Sequence, residues 1–409
     1  MAQIGWIDFS PNHRDRVAAV LEMLKPEGVV DELGIGSIRD AFANQMFPGI
    51  STIQTRAKYF FLVPYLLYEY QQLPAAKQRN TQPEKFLESR EFEVMWQLAE
   101  KYEHKEGTGV IGITKRRPEK IMRRPSAIYW NGLFVFDLIR HGGLGVNTFL
   151  RSRVVKADSL ASQSLQGDDS PHDDVDADYI NSFHLRLPYD KQWIENLTLD
   201  LTPNEAKLFA DRIRTTGKDL LIGALMRNNQ LFKVFKNAEG FSAFARIAVS
   251  QNLLSPEATR TVILAHDFSE VMYGAHCAYN CILQRKKFSS TDYADEWGDW
   301  IKTFSTRMLD YKGLDPEAVL SLTPNLRGHT RQFLMNWWNF VTSSAPSLQK
   351  RDEIIEAQEA ATKTYKARIR QNKLDDVSEG EWIGLRFLDY RARQVKTILQ
   401  DVYSGLGAN

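Results

Sequence analysis

The run SIRDAFANQMFPGISTIQTRAKYFFLVPYLLY, residues 37–68, carries three local signals in succession. Ser37-Ile38-Arg39-Asp40 has the form of a helix capping box, and so does Ser51-Thr52-Ile53-Gln54. Between them lies Phe47-Pro48-Gly49, a proline–glycine turn. Ile53, Ala57, Phe60 and Phe61 then follow helical spacing. The pattern predicts a helical hairpin whose second helix opens near Ser51 and carries Thr52, Gln54, Thr55, Arg56 and Lys58 in its first turns. In a helix-turn-helix reader those positions face the major groove. Gln54 would suit adenine and Arg56 guanine, with Thr52, Thr55 and Lys58 on phosphates. The competing reading is an ordinary hairpin, in which Arg56 pairs with Asp40 or Asp31 and Thr52 is only a cap.

Helical signals continue outward from this run. Ser10-Pro11 opens a helix with Val17, Val20, Leu21 and Leu24 on one face. Glu84 to Tyr102 is amphipathic, and Ser126 caps a segment that ends at Gly142-Gly143. Thr202-Pro203-Asn204-Glu205, Ser255-Pro256-Glu257 and Asp315-Pro316 each read as a helix start. Ile354 to Arg370 is strongly charged with a narrow apolar stripe, as in an exposed helix or one that docks on a partner. Only Phe183 to Leu187 alternates like a strand. Asp158 to Asp178 is polar and acidic and reads as a linker. The expected organisation is a helical half over 1–155, a flexible acidic loop over 156–178, and a second helical half over 179–409. The expected fold class is mainly α, a large multi-helix body with a helix-turn-helix-like hairpin near its N-terminus and little β.

The 409 residues are 43% hydrophobic and 25% charged, enough to bury a core. A net charge of +1 gives no global attraction to nucleic acid or membrane, so electrostatic binding must be local. Cys277 and Cys281, at i and i+4, are too few for a disulfide framework and read as small core residues. The first residues show no basic n-region before an apolar one, and Tyr59 to Tyr68 is too short to span a bilayer. The expectation is a cytoplasmic protein without a membrane segment.

Gly107-Thr108-Gly109-Val110-Ile111-Gly112 formally matches GxGxxG, but a polar helix precedes it and Pro118 follows, which is the wrong context for a dinucleotide site. What remains is a glycine-rich loop joined to Lys115, Arg116, Arg117, Lys120, Arg123 and Arg124. Clustered cations on such a loop suit phosphate, in a sequence-independent and salt-sensitive way. A solvated basic loop is the plainer account. Tyr129 and Trp130 read as stacking residues or as core. Asp174, Asp176 and Asp178 have the opening spacing of an EF-hand loop but lack its sixth-position glycine and twelfth-position glutamate. No HExxH, GxSxG, Walker or CxxC motif is present. Glu103 and Lys105 form a Glu-x-Lys pair, and His266-Asp267 an oriented-base pair, without further support.

Three stretches together resemble a known family. They are Gly5-Trp6-Ile7-Asp8-Phe9-Ser10, the block from Asp31 to Phe60, and Ser126-Ala127-Ile128-Tyr129-Trp130-Asn131-Gly132. The family is an uncharacterised bacterial one, domain of unknown function 6361, and the resemblance spans nearly the whole chain. It implies a component of mobile or phage-defence gene clusters with helicase-like and nuclease-like neighbours, and it supplies no catalytic residues. The resulting expectation is a non-catalytic subunit of a nucleic-acid-processing or antiphage-defence assembly. It would touch DNA or RNA through Gln54, Arg56, Lys58, Lys115, Arg116, Arg117, Lys120, Arg123 and Arg124, beside helicase or nuclease partners, with no cofactor or metal. The alternatives are a helical protein scaffold docking through Ile354 to Arg370, and a metal-dependent nuclease using the acidic loop or Glu103 and Lys105.

Overall fold

The computed structural model describes residues 31–140, 142–151, 188–190 and 192–407. Among them are seventeen α-helices and no strand. In chain order these are α1 (Gly36–Met46), α2 (Tyr59–Gln71), α3 (Ala75–Asn80), α4 (Pro83–Lys101), α5 (Pro125–Val135) and α6 (Val146–Phe149). Next come α7 (Pro203–Thr216), α8 (Leu221–Arg227), α9 (Asn229–Asn237), α10 (Gly240–Ser250) and α11 (Pro256–Phe288). The last are α12 (Ala294–Arg307), α13 (Pro316–Ser321), α14 (Gly328–Val341), α15 (Leu348–Lys363), α16 (Arg368–Gln371) and α17 (Ala392–Gly405). The Ser10-Pro11 helix, the acidic linker and the Phe183 to Leu187 strand lie outside the described residues.

The chain forms two compact units, each from two stretches of sequence. The larger is Asp40–His266 with Asp389–Asn409, and the smaller is Met1–Arg39 with Asp267–Leu388.

The larger unit is built around α2. Its residues Tyr59 to Leu67 are all buried, so it is apolar all round. That is the pattern of a central core helix. Phe60 meets Tyr129 at 4.9 Å, Phe136 at 5.5 Å and Phe209 at 4.6 Å between ring centroids. Gly132 on α5 permits this packing, because a Cβ there would come within 2.5 Å of the Gly49 carbonyl and 2.7 Å of Phe60. In the smaller unit Trp297, Trp300, Trp337 and Phe340 form an aromatic cluster. Gly274 on α11 lets Trp300 approach where a Cβ would collide at 2.2 Å.

The hairpin differs from expectation in one decisive respect. The second helix starts at Tyr59, eight residues later than the Ser51 signal, so α1 and α2 are joined by the twelve residues Phe47 to Lys58. The reason is competition for backbone donors. The N–H groups of Thr55 and Arg56 donate to the Tyr129 hydroxyl at 2.8 and 3.1 Å, and that of Ala57 donates to Asp401 at 2.9 Å. Gln54 accepts from the Ser51 N–H at 3.2 Å, as in half of a capping box, but no helix follows. Gln54, Arg56 and Lys58 therefore lie on a connector and not on a recognition helix.

Other elements follow their sequence signals. Thr202 and Glu205 form a complete capping box, and Asp315 caps α13. Cys277 and Cys281 are free thiols in the core. The charged segment from Ile354 divides. α15 ends at Lys363 and buries Arg351, Ile354, Ile355, Gln358 and Glu359, and the turn Thr364–Lys366 precedes the short α16.

Lys58 is 7% exposed and its Nζ sits 2.8 and 2.7 Å from the two carboxylate oxygens of Glu205, which is 1% exposed. Tyr65 donates to the same carboxylate at 2.8 Å. Truncating one member of a buried pair strands the other charge. Lys58→Met is expected to cost roughly 3–5 kcal/mol, read as a lowered urea midpoint, and Lys58→Met with Glu205→Met to recover most of it. A single variant with the parent midpoint would show that the pair contributes nothing.

Candidate nucleic-acid interface

The connector and the glycine-rich loop form one structure in the larger unit. Arg56 donates through Nε to both oxygens of Asp401 at 3.0 and 2.9 Å, and through Nη1 to the Thr108 carbonyl at 3.1 Å. Its Nη2 reaches Asp200 at 3.3 Å. Thr55 donates to the Gly109 carbonyl at 2.7 Å, and the Ile111 N–H donates to the Tyr59 hydroxyl at 2.8 Å. Burial disfavours the Arg56 cation, but the Asp401 carboxylate more than offsets this and leaves its pKa above the ordinary value. Burial raises the pKa of Asp401, against the pull of Arg56.

The glycines serve this packing. Gly109 has φ +84°, and a Cβ there would meet Arg56 at 2.7 Å. Gly112 has φ +74°, and a Cβ there would meet Met95 at 2.5 Å. Val110 and Ile111 between them are buried. The GxGxxG-like match thus reports a close-packed turn, whose backbone is pressed against the connector and α4. Tyr129 and Trp130 are buried as well.

Six cations follow on the loop, and α4 answers three of them. Arg117 lies over the Trp96 ring at 5.1 Å and near Glu100 at 3.6 Å. Lys120 pairs with Glu88 at 3.1 Å and lies over Phe92. Lys115 pairs within the loop with Glu119 at 3.4 Å, and the Glu119 carbonyl accepts from Trp96 at 3.0 Å. Arg124 pairs with Glu91 at 3.0 Å. Arg116, exposed, and Arg123, half-buried, have no carboxylate partner among the described residues.

These pairs are of two kinds. Glu100 is exposed and the Glu88 side chain is 41% exposed, and pairs at the surface contribute only about 0–1 kcal/mol each, so Arg117 and Lys120 are held loosely. Glu91 is 2% exposed and also accepts from the Ser126 N–H at 2.6 Å and the Ser126 hydroxyl at 3.0 Å. Ser126 is therefore an anchor for Glu91, while α5 opens at Pro125. Arg124 is held by this buried group and is not exchangeable. The cations left without a buried carboxylate are Lys115, Arg116, Arg117, Lys120 and Arg123. Gln54, Arg56 and Lys58 stand apart from these, with their polar ends satisfied inside the unit: Gln54 donates to the Gly49 carbonyl at 3.0 Å.

The other candidates of the sequence are brought to no common site. Glu103 and Lys105 pair with each other at 2.6 Å on the surface. Asp267 is fully buried and accepts from the backbone N–H groups of Leu309 and Asp310. Among the described residues no three His, Cys, Asp or Glu side chains are grouped to hold a metal, and no helix is long and apolar enough to cross a membrane. The acidic loop lies outside the described residues. The sequence reading missed Asp401, Glu205 and Glu91, the carboxylates that decide which cations are free. Only Glu205 had a local signal, its place in the capping box.

A mainly helical body with a basic loop defines a broad class. Within it, the chain belongs to a family of unknown function, DUF6361, whose model matches residues 1–391. No curated protein and no solved structure matches it.

Burial pushes the Glu91 carboxyl up to about 7, from 4.5, against the pull of Arg124 and Ser126. The folded state thus holds this proton more tightly than the unfolded one. The stability it contributes is complete below about pH 4.5 and is lost as pH rises through about 7, in total ~3 kcal/mol. Melting curves between pH 5 and 8 are expected to fall more steeply for the parent protein than for Glu91→Gln. Parallel pH profiles would show that Glu91 does not titrate in that window.

Proposed function

We propose that the protein is a non-catalytic, nucleic-acid-contacting subunit of a bacterial nucleic-acid-processing or antiphage-defence assembly, working in the cytoplasm. The observation that carries this reading is the run in which Arg116 and Arg123 have no carboxylate partner among the described residues and Lys115, Arg117 and Lys120 pair only with surface glutamates. Clustered cations on a surface loop suit phosphate oxygens, so the contact proposed is to the backbone and independent of sequence. Flanking Met122, 77% exposed, offers no polar group that would read a base edge. The processing or defence setting, with helicase-like or nuclease-like partners, is supported by the family resemblance alone.

The test is binding of labelled duplex DNA and RNA by fluorescence anisotropy across a salt series. Affinity is expected to fall steeply with salt, with a log–log slope of about −0.9 per phosphate contacted. Arg116→Glu with Arg123→Glu should weaken binding at least tenfold and flatten the slope by roughly two contacts. Arg124→Gln should lower the melting temperature without that change in slope. Unaltered binding in the double variant, or none by the parent protein at low salt, would overturn the assignment.

A further inference from the structure

The segment Lys363-Thr364-Tyr365-Lys366-Ala367-Arg368-Ile369-Arg370-Gln371-Asn372-Lys373, in the smaller unit, holds five cations and no carboxylate. Its inner half is fixed. Ala367 and Ile369 are buried, and the N–H groups of Arg368 and Ile369 donate to Glu359 at 2.7 and 3.0 Å. The Arg368 guanidinium pairs with Glu32, 1% exposed, and with Asp376 at 2.7 Å, while Lys363 reaches Glu32 at 3.4 Å. Its outer half faces solvent. Tyr365 is 69% exposed, and the ammonium groups of Lys366 and Lys373 lie 5.7 and 6.0 Å from its ring centroid. Lys366, Arg370 and Lys373 are exposed and have no carboxylate partner among the described residues.

The turn holding the ring is rigidly specified. Thr364 sits at φ +52° and ψ −115°, a region that β-branched residues avoid, and Asn372 sits at φ +51°. Lys373 donates to the Tyr365 carbonyl at 2.7 Å, tying the two ends of the segment together. A large aromatic ring held in solvent among uncompensated cations has an unmet use on both counts.

We propose that Tyr365, Lys366, Arg370 and Lys373 form a binding site for single-stranded nucleic acid. A base stacks on Tyr365 and the adjoining phosphates lie on the three cations. The ring selects a single strand because duplex bases are stacked on each other and present no free face, whereas splayed bases stack on aromatic side chains. The cations supply the salt-dependent backbone affinity. The site is separate from the basic loop of the larger unit and stands without it.

The test uses the full chain, with fluorescein-labelled oligothymidylate and, separately, a duplex as probes. Tyr365→Ala is expected to weaken single-strand binding by roughly five- to a hundredfold, the range of one base–aromatic stack, with the salt slope unchanged. Tyr365→Phe should bind like the parent protein. Lys366→Glu with Lys373→Glu should weaken binding and flatten the slope. Duplex binding should be insensitive to all three. Arg116→Glu with Arg123→Glu should reduce duplex binding and leave the effect of Tyr365→Ala on the single strand intact. Equal binding by the Tyr365→Ala variant and the parent overturns this proposal and leaves the loop assignment standing. A Tyr365 effect beside a silent loop variant does the reverse. Loss of duplex and single-strand binding together in Tyr365→Ala would likewise overturn base stacking as its role.

Discussion

The connector between α1 and α2 is held by two cation–carboxylate contacts that reach far along the chain, Arg56 to Asp401 and Lys58 to Glu205. Taking charges out of water is costly, and only close geometry with further hydrogen bonds offsets that cost. Both sites meet the condition. Asp401 accepts from Arg56 and from the Ala57 N–H, and Glu205 accepts from Lys58, Tyr65 and the Thr202 N–H. Lys58 is the residue before α2, so its anchorage determines where the core helix begins. The glycine-rich loop is fastened to the same connector through Thr55 and Arg56, and the basic run grows out of that loop. The position of the basic face thus depends on carboxylates distant in sequence.

Those carboxylates also explain how a chain of net charge +1 can carry a run of loosely held surface cations. Charge balance over the whole molecule says little about what is exchangeable. On the loop, exposed glutamates hold Arg117 and Lys120 loosely, while buried Glu91 holds Arg124 as part of the fold. Pairs of the first kind exchange readily with other anions, and pairs of the second do not. Six cations adjacent in sequence therefore do different work, and burial of the partner separates them.

The helical class, the helix start at Thr202, the core cysteines and the apolar run from Tyr59 were legible because each is a local property of a few residues. The start of α2 was not. Ser51 to Gln54 satisfies a helix-start pattern, yet Tyr129 and Asp401 take the backbone donors that a helix would have used. No window around residue 51 contains that information. The GxGxxG-like match was rightly set aside from its context, but what its glycines do was not legible: they permit contact with Arg56 and Met95. Gln54, Arg56 and Lys58 have the composition of a reading helix and the environment of a core. The basic segment after Lys363 was overlooked because the charge pattern was read as one continuous helix, whereas the Thr364 turn breaks it and lifts Tyr365 into solvent.

The two basic segments share a construction that bears on how each works. In both, one arginine is sacrificed to a buried carboxylate, Arg124 to Glu91 and Arg368 to Glu32, and neighbouring cations are left outside. The inner pair fixes the backbone, so less ordering of the outer side chains is left to be done on binding. They differ in what accompanies the cations. On the loop the rings of Phe92, buried, and Trp96, half-buried, lie under Lys120 and Arg117. In the turn the ring of Tyr365 faces solvent. Both kinds of ring lie beside cations, but Tyr365, with Lys366 and Lys373 5.7 and 6.0 Å from its centroid, is mostly exposed and so also leaves surface for stacking. The first arrangement suits a phosphate backbone of any strandedness, and the second adds a requirement that bases be unstacked.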